Sequence, residues 1–199
     1  MDVAQAFISR SALQHNYARL QQSAPQSQLL AVIKADAYGH GMIHMARAAG
    51  TRSLAVATPE EAGRLIEEGI ENAIWVLEGP FSPACLSLSS KHSNIVWVVH
   101  QLAQLEMMAK QRESNYQIWL KLDTGMHRLG FDPHEVGEIN AVLSAMGIQR
   151  ITLMSHLADA EDSDSTLNHR QKQRWQGRRL LDHESTERRP GRPRSPIGQ

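Results

Sequence analysis

Six short apolar runs punctuate the chain. They are LLAVI (Leu29–Ile33), SLAVA (Ser53–Ala57), AIWVL (Ala73–Leu77), NIVWVV (Asn94–Val99), YQIWLKL (Tyr116–Leu122) and ITLMS (Ile151–Ser155). None alternates strictly between apolar and polar positions, which suits strands covered on both faces, as in a parallel sheet. The runs recur about every 20–30 residues, the length of one βα unit.

The segments between them carry helix grammar. In TPEEAGRLIEEGI, Thr58 is placed to cap, Pro59 to open the first turn and Glu61 to complete a capping box. Ala62, Leu65 and Ile66 form the apolar stripe, and Gly69 suits the left-handed position that ends a helix. DPHEVGEINAVLSAMG repeats the scheme with Asp132, Pro133 and Glu135 at the start, Val136, Ile139 and Leu143 as the stripe, and Gly147 to stop. HQLAQLEMMAK predicts a helix with Leu102, Leu105 and Ala109 on its buried face. Repeated βα units mean an open doubly wound sheet or a (β/α)8 barrel. Six units end near residue 160, where a closed barrel needs eight, so the residues predict an α/β fold and leave both architectures open.

Composition agrees with a folded body. The 199 residues are 41% hydrophobic and 21% charged, which is globular rather than disordered. No apolar run reaches the ~18–20 residues of a membrane span. MDVAQAFISRSAL does not read as a secretory signal, and a single cysteine, Cys85, rules out an internal disulfide framework, which fits a cytoplasmic protein. Charge separates two regions. Of 21 basic and 21 acidic residues, nine Lys or Arg and three Asp or Glu follow Leu167, which leaves twelve basic and eighteen acidic before it. Residues 1–167 therefore read as a mildly acidic folded body, and 168–199 as a basic, low-apolar tail expected to be disordered or out of frame. The tail lacks interleaved aromatics and any groove-reading motif, so no nucleic acid is expected as partner.

The candidate chemistry gathers where parallel α/β folds build their sites, at the C-terminal ends of strands. AVIKADAYGHG (Ala31–Gly41) ends an apolar run on Lys34. Lys121 lies among the last residues of the fifth run, with Asp123 and Arg128 after it, and His156 follows the sixth. A lysine amine relieved of its proton is a nucleophile suited to condensing with an aldehyde cofactor, pyridoxal 5′-phosphate (PLP). His40 and His44 have metal-pair spacing but no flanking carboxylate of a zinc-protease pattern, so no metal is expected. Gly39 and Gly41 read as turn residues.

AVIKADAYGHG closely resembles the PLP-lysine motif of bacterial alanine racemases. KLDTGMHRLGF (Lys121–Phe131) resembles a second motif of that family, and SHLADAED (Ser155–Asp162) is similar to a third. Asp36 departs from the asparagine of many relatives. The resemblance covers Met1 to Leu167 and implies a PLP-dependent isomerase acting on alanine, for peptidoglycan building or alanine breakdown. Lys34 would carry PLP and act as base on the D-enantiomer, and Tyr38 would hydrogen-bond the phosphate. Arg128 would hold the substrate carboxylate, and His156 would pack near the pyridine ring. Lys121 falls where relatives carry a lysine that can be carbamylated to partner Arg128; an ordinary ion pair with Asp123 is the alternative. The resemblance implies a partial TIM (β/α)8-type barrel of about six βα units over residues 1–167 and, for the full-length family, a homodimer. The family's C-terminal β domain and second proton-transfer tyrosine find no counterpart in these residues. The expectation is therefore an incomplete barrel, poorly soluble alone and impaired in turnover. A non-catalytic PLP-homeostasis barrel is the alternative; the Lys121–Arg128 block favours racemase ancestry.

Overall fold

The computed structural model describes residues 6–111, 116–132, 135–148 and 151–176. Its centre is a six-stranded sheet in sequential order, every pairing parallel. The strands are β1 (Ala31–Val32), β2 (Ser53–Val56), β3 (Ala73–Val76), β4 (Ile95–Val99), β5 (Gln117–Lys121) and β6 (Thr152–Met154). Each falls inside one of the six apolar runs. Every residue of β2 and β4 is buried, as expected of strands covered on both faces.

Two apolar layers flank the sheet. On the helix side, Leu54, Val56, Ile74, Val76, Trp97, Val99 and Leu120 are fully sequestered against helical Ala62, Leu65, Leu105, Met108, Ile139 and Leu143. Each of the large aliphatic side chains contributes roughly 1.5–3 kcal/mol by leaving water. On the opposite face Ala55, Trp75, Val96 and Val98 form a smaller cluster with Leu30, Trp119 and Met154 packed on it. Helices outside and a small apolar floor inside describe six units of a TIM barrel. Among the described residues β1 and β6 each pair with one strand only.

Helix α1 (Arg10–Ser23) starts where Ser9 Oγ accepts the Ala12 N–H and buries none of its residues; the apolar pattern gave no sign of it. The helical segment α2 (Lys34–Gly39) follows β1 and leads into α3 (Met42–Ala48). Helix α4 (Pro59–Glu67) opens on the anticipated capping box between Thr58 and Glu61, and Gly69 ends it at φ +73°. A 3₁₀ turn (Pro83–Leu86) and α5 (Ser87–Lys91) join β3 to β4. Helix α6 (Leu102–Lys110) buries Leu105 and Met108, whereas Ala109 faces water. The stripe continues three residues on from Leu105 rather than four, because the longer Met side chain fills the space over the sheet.

Helix α7 (Val136–Ala145) begins with Glu135 as its N-cap, three residues later than the expected Asp132 cap; Pro133 lies outside the described residues. The reciprocal half of the anticipated box is present, the Asp132 N–H donating to Glu135 Oε2 at 2.5 Å. Helix α8 (Thr166–Gln176) extends the described structure past Asn168, where the composition shifts, and buries Asn168 and Gln171. The rest of the anticipated tail, 177–199, lies outside the described residues. Among the described residues no helix is long and apolar enough to cross a membrane.

Candidate active site at the strand ends

The turn after β1 has an unusual backbone. Ala35, Asp36, Ala37 and Tyr38 have φ between +51° and +56° and ψ between +37° and +53°, one turn of left-handed helix built without glycine. For L-residues this geometry costs roughly 1–2 kcal/mol each, so surrounding bonds have to hold it. The Ala37 N–H donates to Ile33 O at 2.8 Å, and the Gly41 N–H to Asp36 O at 2.9 Å. Asp36 Oδ1 accepts the Met42 N–H at 2.9 Å, and Ala35 donates its N–H to Glu61 Oε1 at 2.6 Å. Asp36 thus uses a single acceptor oxygen, which an asparagine supplies equally well. Gly39 and Gly41, at φ +84° and +89°, complete the turn.

This turn begins with Lys34, half-buried at the end of β1. Lys121 is the last residue of β5 and is 8% exposed. It follows Trp119 by two positions, so strand alternation puts both on the face of the inner cluster. The loop after β5 carries Arg128, exposed, and His156 lies two residues beyond β6, also exposed. Electrostatics tie the four together. Burial depresses the Lys121 ammonium pKa, and the Arg128 and Lys34 charges add to the effect against the opposing pull of Asp123. Burial likewise lowers His156, with Arg128, Lys121 and Lys34 contributing in that order. Tyr38, on the left-handed turn, is 61% exposed, and among the described residues its hydroxyl makes no hydrogen bond.

Asp123 does not pair with Lys121. Its Oδ2 lies 3.1 Å from the His127 ring, while Oδ1 accepts the Gly125 and His127 N–H groups at 2.8 and 3.1 Å. Burial pushes its carboxyl upward, but these donors and the His127 ring outweigh it, and the net direction is down. Asp123 therefore shapes the loop that carries Arg128. Gly130 closes the same loop at φ +135°, with the Phe131 N–H donating to Lys121 O and the Asp123 N–H to Phe131 O.

Two groups at this end of the sheet escaped the sequence reading. His100 follows β4 directly, with its Nε2 3.0 Å from Glu78 O and its N–H on Gln104 Oε1. Burial lowers its pKa, the Glu78 carbonyl opposes this, and Lys121 lowers it further. The strand-end position that singled out Lys34 and His156 applies to it equally. Gln171 of α8 is fully buried; its Nε2 donates to Thr124 Oγ1 (3.1 Å) and His156 O (2.8 Å), and its Oε1 accepts the Ala158 N–H (2.9 Å). It joins the loop after β5 to the loop after β6. Beside it lies an apolar cavity of about 440 Å³ lined by Trp119, Leu153, Met154, Leu157 and Trp175 among others. His40 bonds Ala37 O through Nδ1, while His44 sits in α3. Chemically, the arrangement offers one half-buried amine beside cationic groups and a histidine, a setting for an anionic carbonyl compound.

Comparison with known proteins gives one consistent result. The family profile described as "Alanine racemase, N-terminal domain" matches residues 8–194, continuing past the composition change at Asn168. The chain is 40% identical over 186 residues to an alanine racemase of Nitrosococcus oceani, covering 89% of this chain and 51% of that protein. It is 44% identical over 170 residues to one from Pseudomonas taetrolens, covering 83% and 47%. Among solved structures, the biosynthetic alanine racemase of Pseudomonas aeruginosa superposes with a TM-score of 0.77 at 36% identity, covering 86% of this chain and 48% of that one. The chain thus spans about half the length of the curated relatives it matches.

Proposed function

The chain belongs to the alanine racemase N-terminal domain family, and from that premise we propose that it binds PLP through Lys34 for the interconversion of L- and D-alanine. What supports this reading is that Lys34, Lys121, Arg128 and His156 follow or end β1, β5 and β6 at the same end of a parallel sheet. The charges of Arg128 and Lys34 bear on Lys121, and those of all three bear on His156. The donor set fits the cofactor: an amine for its aldehyde, and cationic groups for its phosphate and for a substrate carboxylate.

When bound, PLP supplies the electron sink that makes the substrate Cα proton removable. Lys34 would act as the base on the D-enantiomer, and Arg128 would orient the carboxylate through its planar fork. Tyr38 would donate to the phosphate, and His156 would pack near the pyridine ring. Lys121, carbamylated, would give Arg128 an anionic partner. Its burial and its disfavoured ammonium form support this assignment over an ion pair with Asp123, which bonds elsewhere.

Moving a proton from one face of Cα to the other calls for two positioned groups. Lys34 is one of them. Since the curated relatives are about twice as long, complete racemisation and a homodimer are proposed for the family architecture. For these 199 residues alone the expectation is PLP capture with little turnover. Both biosynthetic and catabolic alanine racemases occur among the similar proteins, so either role is compatible. The names of these relatives do not favour a non-catalytic PLP-homeostasis barrel.

PLP titration followed by borohydride reduction and peptide mapping tests the assignment, alongside a coupled D-alanine assay. Saturable visible absorbance and a pyridoxyl tag on Lys34, both lost in Lys34→Ala, are expected. A tag on another lysine, or no saturable uptake, would overturn it.

A further inference from the structure

The left-handed turn after Lys34 is held mainly by its own neighbours, with one exception. The Ala35 N–H, on the residue directly following Lys34, is bonded across the sheet edge to a side chain 26 positions away, Glu61 Oε1 at 2.6 Å. The other oxygen of that carboxylate, Oε2, accepts the Ala57 and Thr58 N–H groups at 2.7 and 3.3 Å. Glu61 also takes part in the capping box, its own N–H resting on Thr58 Oγ1 at 3.3 Å. One carboxylate therefore joins the chain leaving β1 to the chain leaving β2.

We propose that Glu61 is a positioning residue for Lys34, fixing where the lysine enters the strand-end site by holding the first amide of the left-handed turn against the start of α4. The inference rests on the reading of Lys34 as the PLP lysine. A capping box needs from the acid at its third helical position only that it accept the N–H at the cap position; the bond to Ala35 lies outside that need. A backbone conformation disfavoured for four consecutive L-residues persists where its surroundings over-determine it, and Glu61 supplies a bond to it from a separate element.

A carboxylate can accept on both oxygens, whereas a glutamine has one acceptor oxygen and one donor group. In Glu61→Gln the amide oxygen can serve the Ala57–Thr58 pair or Ala35, and its NH2 then faces an N–H on the other side. Satisfying the two amides at the cap leaves Ala35 unbonded. Thr58→Ala is the complementary control: it removes the hydroxyl that caps α4 and leaves the Ala35 bond in place.

The test uses the full 199-residue chain with two readouts, amide hydrogen exchange resolved over Ala31–Gly41 without cofactor, and the PLP dissociation constant from visible absorbance. Glu61→Gln and Glu61→Ala are expected to speed exchange at Ala35 and to weaken PLP binding, each about tenfold or more, the scale of one lost bond to a charged acceptor. Thr58→Ala is expected to lower the thermal midpoint while leaving both readouts within about twofold of wild type. The inference is overturned if Glu61→Gln changes them no more than Thr58→Ala does. Wild-type protein that takes up no PLP would refute the proposed function instead, and exchange at Ala35 alone would then decide the role of Glu61.

Discussion

Trp75 on β3 and Trp119 on β5 reach across β4 and meet edge to face, with ring centroids 5.2 Å apart and planes at 71°. The pair floors the inner face of the sheet two residues below Lys121. Trp75 is buried, and among the described residues its Nε1 has no hydrogen-bond partner, so the ring stabilises as an apolar body. Trp75→Phe removes the unsatisfied N–H and should change stability by no more than about 1 kcal/mol, whereas Trp75→Ala should cost about 3–5 kcal/mol. Urea unfolding separates them; equal losses would mean the indole N–H is bonded.

Lys121 is held at a cost that depends on pH. Its pKa is depressed in the folded state by burial, then by Arg128 and Lys34, so between the folded and unfolded values the unfolded chain binds more protons. Stability then rises with pH across that alkaline window, which ends near the unfolded value of about 10.4. Lys121→Met is therefore expected to be more stable than wild type at pH 7, by a margin that narrows toward pH 10. Paired denaturation curves at the two pH values check this, and a constant difference would contradict it.

If Lys121 is the lysine that accepts carbon dioxide, protein held in 13C-bicarbonate should show a carbamate carbon resonance that is lost in Lys121→Arg. A resonance that persists would assign the adduct to another amine.

His156 reports on the same charges. Burial lowers its pKa, and Arg128 is the largest of its charged neighbours. Arg128→Gln should move the imidazole titration upward toward 6.5, followed by NMR of the ring protons. An unmoved titration would place Arg128 away from the site.

Gly130 is the steric limit of the Arg128 loop. A Cβ built there would lie 2.5 Å from the Asp123 backbone nitrogen, at a φ of +135°. Gly130→Ala is expected to cost at least about 1–3 kcal/mol and to release the loop's hydrogen bonds. Thermal unfolding together with exchange at Phe131 measures both effects.

What the sequence made legible was local. Each strand sits within its apolar run because continuous burial needs only the residues of that run, and the Thr58–Glu61 box lies within one helical turn. Met108 displaced Ala109 on the α6 stripe because counting positions ignores side-chain length. The left-handed turn was out of reach, since Ala, Asp, Ala and Tyr do not favour it locally and the bond from Glu61 comes from a distant element. Helix α8 was invisible for another reason: Asn168 and Gln171 are buried through hydrogen bonds, which a count of apolar residues does not register. Asp123 turned to the amides of its own loop, nearer donors than the ammonium two residues before it.

The three bonds made by Gln171 set a limit on shortening the polypeptide. Cutting after Leu167, where the composition shifts, would strip partners from Thr124, from the His156 carbonyl and from the Ala158 amide in one stroke. Any trimmed version intended for crystallisation or ligand screening has to retain α8 through Gln176, however dispensable its polar spelling makes it look.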